Sequence, residues 1–166
     1  MRRDNRGISL VEILVVVAIM AVLGGVGIWG INAMTGKPAQ QCAQKIVYSL
    51  ERHRTTSMSK VEAKYKLVRD PINDRVFYEE YIRNDLNEDF VRSARVEIGD
   101  SKTKVQYLLG SDPTRLELPL ELAFDRSSGS FKTQTGGGYC TKIIIMRGGR
   151  EYEVTLVPLT GKVYTD

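Results

Sequence analysis

The longest apolar stretch of the chain lies close to its N-terminus. Nineteen uncharged residues run from Ile13 to Ile31, and they leave no polar side for a helix to turn toward water. At a rise of 1.5 Å per residue they would form a helix about 28 Å long, close to the ~30 Å hydrocarbon core of a bilayer. The pattern predicts a membrane-spanning helix. Arg2, Arg3 and Arg6 precede it, which predicts a cytoplasmic N-terminus and an extracytoplasmic region after Met34.

A different apolar period begins after Pro38. Proline has no amide hydrogen, so Pro38 would kink a continuous helix or open a new helix in its first turn. Beyond it, apolar positions recur at steps of three and four, which predicts an amphipathic helix of about twenty residues. The positions in this stripe are Ala39, Cys42, Ala43, Ile46, Val47 and Leu50, followed by Arg54 and Met58. Such a stripe needs an apolar surface to pack against.

The period falls to two after about Lys60, where Val61, Ala63, Tyr65 and Leu67 alternate with charged residues. This alternation is typical of a half-buried strand. Further strands are predicted at residues 75–83, 91–98, 104–109, 116–124, 140–147 and 151–157. The segment "DPIND" at residues 70–74 and the pair Gly148-Gly149 predict turns. The predicted fold class is α+β, with a long N-terminal helix packed on a C-terminal antiparallel β-rich head.

Composition and charge add little to this picture. The 166 residues suffice for one modest domain and an appendage, with 42% hydrophobic and 27% charged residues. The net charge is +4, and part of it comes from the arginines before the apolar run. So small and scattered an excess is a weak argument for nucleic-acid binding, and it indicates an ordinary solvated surface.

Glu12 stands at the edge of the apolar run and needs an explanation. An ionisable residue at mid-bilayer costs about 2.5–3.5 kcal/mol on insertion scales, less near an end, and it usually has a partner. A plain membrane anchor accounts for the length of the run and leaves Glu12 unexplained. A cleaved secretory signal fits poorly, because the run is too long and Ile31-Asn32-Ala33 is a mediocre cleavage site.

The segment from Arg6 to Glu12, "RGISLVE", resembles the leader junction of type IV prepilins and type II secretion pseudopilins. The resemblance implies that a membrane peptidase cuts the Gly7–Ile8 bond and that the new amine of Ile8 is methylated. Glu12 would then be the fifth residue of the mature chain. Isoleucine stands at the first mature position, where this family most often has phenylalanine, and this is a mild departure because the position mainly needs an apolar residue.

The chemistry of this junction agrees with the resemblance. A free α-amine has a reference pKa near 7.7–8.0, so the amine at Ile8 can carry positive charge. Residues 8 and 12 are four apart and would share a helix face. In an assembled fibre, the Glu12 carboxylate could meet the amine of a neighbouring subunit and neutralise two charges that apolar surroundings penalise. Glu12 is therefore predicted to be an assembly carboxylate.

The resemblance implies a pilin-like organisation. Its parts are a leader peptide at residues 1–7, a transmembrane and assembly helix at 8–37, an amphipathic helix at 38–60 and a β-rich extracytoplasmic head at 61–166. The tail segments "LAFDRSSGSF" and "KIIIMRGGREYEVTLVPLTGKVYTD" are similar to those of H-type minor pseudopilins and FimT-like minor pilins. Residues 64–115 match no pattern of the family.

The function implied by the resemblance is that of a structural subunit of a type IV pilus or a type II secretion pseudopilus, and not that of an enzyme. Its expected partners are other pilin or pseudopilin subunits, the prepilin peptidase and methyltransferase, and an inner-membrane assembly platform. The expected location is the cytoplasmic membrane, with the head outside, and then the fibre. The alternatives are a minor pilin that binds DNA during uptake and, with no residue pattern in its favour, an anchored extracytoplasmic enzyme.

The sequence contains no known catalytic or metal-binding pattern, so neither a cofactor nor a metal is expected. The only histidine, His53, is interpreted as a surface or packing residue. The acidic pairs Glu79-Glu80 and Glu88-Asp89 could be read as catalytic carboxylates or calcium ligands. Neighbours on a strand face opposite sides, however, and a solvated strand or loop is the preferred interpretation.

Cys42 and Cys140 leave two alternatives open. A disulfide between them would close a long loop and, in the chain-entropy model, contribute about 4–5 kcal/mol outside the cytoplasm. The other alternative is two separate buried thiols that act as small hydrophobic residues.

The densest basic stretch supplies a further hypothesis. Its cations are Arg52, Arg54, Lys60, Lys64 and Lys66. They could form a phosphate-binding patch for DNA, whereas the preferred interpretation is a solvated helix face and strand.

Overall fold

The structure is a computed structural model that describes residues 10–59, 62–83 and 89–165, and in residues 22–36 the backbone alone. The chain divides into two compact units, Met1–Thr35 and Gly36–Asp166. Over the described residues it contains one α-helix and nine strands, which confirms the α+β class. The predicted domain boundaries themselves stay predictions.

Helix α1 spans Leu10–Met58 and continues through Pro38. The helical segment after Pro38 packs on the sheets, and this tertiary burial outweighs the cost of about 3 kcal/mol for an interior proline. The predicted stripe is confirmed at its beginning, where Ala39, Cys42, Ala43, Ile46 and Leu50 are all buried. Its continuation was predicted wrongly. The buried positions after Leu50 are His53 and Ser57, while Arg54 is half-buried and Met58 is exposed.

Nine strands form two antiparallel sheets. Sheet A has four strands in the order β3-β2-β1-β6, and sheet B has five in the order β5-β4-β7-β8-β9. The strands are β1 Glu62–Arg69, β2 Val76–Arg83, β3 Val91–Gly99, β4 Lys104–Leu109, β5 Leu116–Glu117, β6 Leu120–Ala123, β7 Cys140–Arg147, β8 Arg150–Val157 and β9 Lys162–Thr165. Most predicted strands agree with these bounds to within one or two residues.

The single strand predicted at residues 116–124 is wrong. Strand β5 pairs with β4 in sheet B, whereas β6 pairs with β1 in sheet A. Leu118 and Pro119 lie between them, joined by a cis peptide bond. Because proline cannot donate to a sheet ladder, the chain leaves one sheet at this point and enters the other. Strand β9 was not predicted, since its four residues give too short a pattern.

One core joins the second part of α1 to both sheets. Sheet A contributes Tyr65, Leu67 and Leu122 among others, and sheet B contributes Ile143, Ile145 and Leu156. The apolar stripe of α1 therefore has the surface that its sequence required.

Candidate functional site

The first turns of α1 carry an exposed apolar surface. Every described side chain from Leu10 to Ala21 is exposed, and the large apolar ones range from 47% exposed at Val16 to 79% at Leu10. One continuous stripe on this surface consists of Leu10, Ile13, Leu14, Val17, Ala18 and Ala21. Exposed apolar surface of this extent on a protein marks a contact with other chains or with lipid.

Glu12 lies within this surface, in the first turn of α1. Its neighbours Val11 and Ile13 are 68% and 53% exposed, and the Glu12 side chain is exposed too. None of the residues that the structure describes forms a hydrogen bond or ion pair with Glu12. Gly7 and Ile8, the predicted cleavage and methylation sites, lie outside the described residues. No helix within residues 10–59, 62–83 and 89–165 combines the length and the hydropathy of a membrane span.

The four described members of the basic stretch do not share one surface. Lys64 and Lys66 alternate with buried Tyr65 on β1, so they lie on the sheet face away from α1. Lys64 Nζ is 3.1 Å from Glu121 Oε1 and 4.6 Å from the centre of the Phe90 ring. The charge of Lys64 therefore already has a carboxylate and an aromatic partner.

The helix cations have other surroundings. The Arg54 Nε–H donates to the main-chain oxygen of Gly129 at 3.0 Å, which ties α1 to the loop before Phe131. Arg52 is two residues earlier and therefore lies on another side of the helix. Lys60 falls outside the described residues. A shared phosphate-binding patch stays a prediction. Arg54 stabilises the fold through its hydrogen bond to Gly129.

Cys42 on α1 and Cys140 on β7 are free thiols, and both are buried. Burial raises the pKa of each thiol to about 12. Cys140 Sγ lies 3.7 Å from the main-chain oxygen of Lys142. The charges of Lys45 and Asp100 act on the Cys42 thiol, where Lys45 lowers its pKa and Asp100 raises it. The structure therefore has the second of the two alternatives, two separate apolar thiols.

Comparison with known protein families gives one finding. A family model described as a prokaryotic N-terminal methylation motif matches residues 2–28. The chain carries a prepilin-type methylation motif. The matched segment contains Gly7, Ile8 and Glu12 together with the exposed apolar turns of α1. No curated protein and no solved structure matches the chain.

The methylation motif indicates a type IV pilin-like protein, and so a structural subunit rather than an enzyme. It also implies attachment to a membrane or pilus. The motif ends at residue 28, so it does not reach the tail segments that resemble H-type and FimT-like proteins. Across the described residues, no group of three or more histidine, cysteine or acidic side chains is placed to hold a metal ion.

The unit Gly36–Asp166 contains a buried polar pair. His53 on α1 is fully buried, and its Nδ1 lies 3.2 Å from Oε1 of Glu80 on β2. An ionised carboxylate can only accept, so Nδ1–H of His53 is the donor, and this hydrogen bond lowers the pKa of Glu80. The other ring nitrogen of His53 and the Ser57 hydroxyl, one turn later, are buried without a partner among the described residues.

The sequence predicted that His53 is either a surface residue or a packing residue, and in the structure it is a packing residue. Its ring centre lies 5.7 Å from that of Tyr65 and 5.8 Å from that of Phe124. The sequence contains a signal that could have located it, because His53 lies three residues after Leu50 and continues the buried stripe. The Tyr65 hydroxyl lies 2.7 Å from Ser49 Oγ, and burial raises the pKa of Tyr65.

The prediction of solvated acidic residues is wrong for Glu79 and Glu80. Both are buried, at 7% and 6% exposure, although they face opposite sides of sheet A as predicted. Glu79 accepts hydrogen bonds from the Tyr81 hydroxyl at 2.7 Å and from Arg92 at 3.1 Å, and Arg95 Nε lies 3.3 Å away. Glu80 is covered by α1. Neither carboxylate shares an open cleft with the other, so they do not form a catalytic pair.

The second acidic pair is separated from these two. Asp89 is exposed in the part of the chain that the structure describes, which agrees with the solvated interpretation, and Glu88 lies outside that part.

Proposed function

We propose that this protein is a minor pilin or pseudopilin, a structural subunit of a type IV pilus or of a type II secretion pseudopilus. The methylation motif at residues 2–28 is the observation that carries the proposal. The exposed apolar surface of Leu10 to Ala21 supports it, because a helix without an apolar partner in its own chain is suited to bundling with helices of other subunits.

In this proposal the prepilin peptidase cuts between Gly7 and Ile8, and the amine of Ile8 is then methylated. Glu12 lies one helical turn after that amine. The described residues offer Glu12 no partner, so a cation from another subunit is the natural one. Pairing of the carboxylate with the N-terminal amine of a neighbour removes two isolated charges from apolar surroundings.

Before assembly, the protein is anchored in the cytoplasmic membrane by residues 13–31, with the arginines of the leader in the cytoplasm. The head of residues 61–166 then lies outside and determines which subunits become neighbours. Its partners are other pilin or pseudopilin subunits, the processing enzyme and the assembly platform of the inner membrane. The tail segments resemble those of H-type pseudopilins, which favours a minor subunit over the main shaft protein.

Mass spectrometry of the mature N-terminus tests the proposal. The protein is purified from its native host and the N-terminal peptide is sequenced. The expected chain begins with N-methylated Ile8. A Gly7→Glu variant is the control, because a bulky charged residue at the cut should leave the leader attached. A native chain that begins at Met34, or one that retains Met1 and an unmethylated leader, would overturn the proposal.

DNA capture, the second function considered from the sequence, has no comparable support. Its candidate cations lie on different surfaces, Lys64 is paired with Glu121, and Arg54 is bound to a main-chain oxygen.

A further inference from the structure

Sheet A ends in an edge strand whose helix-facing residues are left uncovered as far as Val96, whereas Ile98 near the end of the strand is buried in the core. Strand β3 is the first in the order β3-β2-β1-β6, and within the described residues it pairs only with β2. Its register places Val96 opposite Tyr78 and Val91 opposite Ile82. Tyr78 stacks on the buried Tyr65, so these positions belong to the face that carries the core. Val91 and Val96 are nevertheless 67% and 40% exposed.

The width of the helix explains the gap. Neighbouring strands lie about 4.8 Å apart, and a helix with its side chains is about 10 Å wide, so one helix covers about two strands. The side-chain hydrogen bonds of α1 with sheet A are to β1, through Ser49 and Tyr65, to β2, through His53 and Glu80, and to the end of β3, through Lys45 and Glu97. Strand β3 therefore remains as an uncovered ledge. We call this ledge the β3 shelf, and its residues are Val91, Ala94 and Val96.

The side of α1 that borders the β3 shelf is cationic. Lys45 and Arg52 are seven residues apart, about two helical turns, and so lie on the same flank. The Lys45 ammonium donates to the main-chain oxygen of Glu97 at 3.4 Å, which shows that this flank faces β3. The Arg52 guanidinium forms no hydrogen bond or ion pair with any described residue, whereas the Arg52 main-chain oxygen accepts from the Thr56 hydroxyl. Glu80, a carboxylate on this face of the sheet, is buried and bound to His53.

The opposite face of the same edge also carries a cation. Arg92 projects from β3 onto the outer face, where it shares the single carboxylate of Glu79 with Arg95 and its side chain stays 50% exposed. A chain placed beside β3 would thus find a guanidinium on each side, Arg52 toward the helix and Arg92 away from it. Acidic side chains are the complement to this arrangement.

We propose that the β3 shelf binds an extended acidic segment of another protein, which adds a strand to the free edge of β3. The free main-chain groups of β3 require a strand as their partner, because a helix has already used its own N–H and C=O groups. Val91 and Val96 require apolar residues at alternate positions of that segment. Arg52 and Arg92 require carboxylates between or beside them. The proposal stands independently of the assembly function.

The probe is a fluorescein-labelled peptide of eight residues with valine at positions 1, 3 and 7 and glutamate at the other five. Its odd positions face the helix side, so the glutamate at position 5 can meet Arg52, while the glutamates at even positions lie on the side of Arg92. The peptide is titrated against the full chain in detergent micelles and followed by fluorescence anisotropy. We expect saturable binding at least tenfold tighter than that of the same peptide with lysine in place of glutamate. Two N-methylated versions report on the strand geometry, one methylated at the odd positions and one at the even positions. Only alternate N–H groups of an edge strand point at its neighbour, so one version should lose at least tenfold and the other should not.

Four variants test the location. Val96→Glu and Arg52→Glu should each weaken binding at least tenfold. The matched controls are Ile72→Glu, at an apolar side chain that is 94% exposed in the β1–β2 turn, and Arg150→Glu, at an exposed arginine of the β7–β8 hairpin. These controls should change binding by less than twofold, and circular dichroism should give the same melting temperature for all four variants.

Several results would overturn the proposal. They are equal binding of the glutamate and lysine peptides, equal losses for Val96→Glu and Ile72→Glu, equal effects of the two N-methylated peptides, or no binding at millimolar peptide. Amide exchange without peptide supplies a further check. Protection of residues 91–97 that rises with protein concentration would show that a second copy of this chain occupies the edge. All of these results are independent of the N-terminal processing that tests the assembly function.

Discussion

Gly161 packs so closely on the main-chain oxygen of Gly129 that a Cβ at position 161 would overlap that oxygen. Gly161 also has a φ of +65°, in the left-handed region that favours glycine. The same Gly129 oxygen accepts the hydrogen bond from Arg54. The β8–β9 turn, the loop before Phe131 and α1 therefore meet at one main-chain carbonyl group.

The first prediction concerns this contact. Gly161→Ala should lower the free energy of unfolding by about 3 kcal/mol, because both the overlap and the backbone conformation oppose a Cβ. Gly110→Ala is the matched control, since Gly110 has a φ of +57° and no atom within 4 Å of its would-be Cβ. It should cost only about 1 kcal/mol. Urea denaturation of the two variants measures the difference, and equal losses would contradict the contact.

The second prediction concerns the pH dependence of stability. The hydrogen bond from His53 lowers the folded-state pKa of Glu80. The stability from Glu80 is then complete above its unfolded-state pKa and is lost as the pH falls through the folded-state value. Glu80→Gln should cost about 2 kcal/mol at neutral pH and less in acid, where the wild-type protein loses the same contribution.

Glu121→Gln is the control for this measurement. Glu121 pairs with Lys64 on the outer face, and the two side chains are 47% and 41% exposed, so its loss should cost less than about 1 kcal/mol. Denaturant titrations across the acid range compare the two variants with the wild-type protein. A stability curve for Glu80→Gln that parallels the wild-type curve at every pH would refute the role of the buried pair.

The third prediction concerns the thiols. Burial raises the pKa of Cys42 and of Cys140 to about 12, so at pH 8 only about 10⁻⁴ of either thiol is ionised. Neither should react with iodoacetamide in the native protein, and both should react in denaturant. Mass spectrometry counts the added groups. Two unreactive sulfurs even in denaturant without reductant would mean that the cysteines are joined after all.

The fourth prediction concerns assembly. Glu12→Leu should be processed at the Gly7–Ile8 bond like the wild-type chain, yet enter the fibre at least tenfold less, because the amine of the neighbouring subunit would have no carboxylate to pair with. Quantitative immunoblots of sheared fibres and of membranes measure both steps. Val11→Leu is the control, since it changes an exposed apolar neighbour and keeps the charge. Equal incorporation of Glu12→Leu and wild type would exclude the assembly role.

Much of the fold could be predicted because its elements have regular periods. The apolar stripe from Ala39 to Leu50 and the alternation of β1 can each be recognised from residues that are close together in the sequence. Local pattern was less informative where it is short or interrupted. At Pro119 one apolar run divides between two sheets, and the choice of sheet depends on β4 and β1, which are distant in sequence.

The sequence by itself determined the N-terminal motif, the apolar run and the periods of helix and strand, because these depend on residues that are neighbours along the chain. Only the tertiary structure decided that His53 meets Glu80, that Arg54 binds the Gly129 oxygen and that β3 keeps an open edge. The first two relationships join residues that are 27 and 75 positions apart, and the third depends on how far one helix reaches across a sheet. Charged side chains that become buried need partners, and the spacing of residues in the sequence does not predict which partners they find.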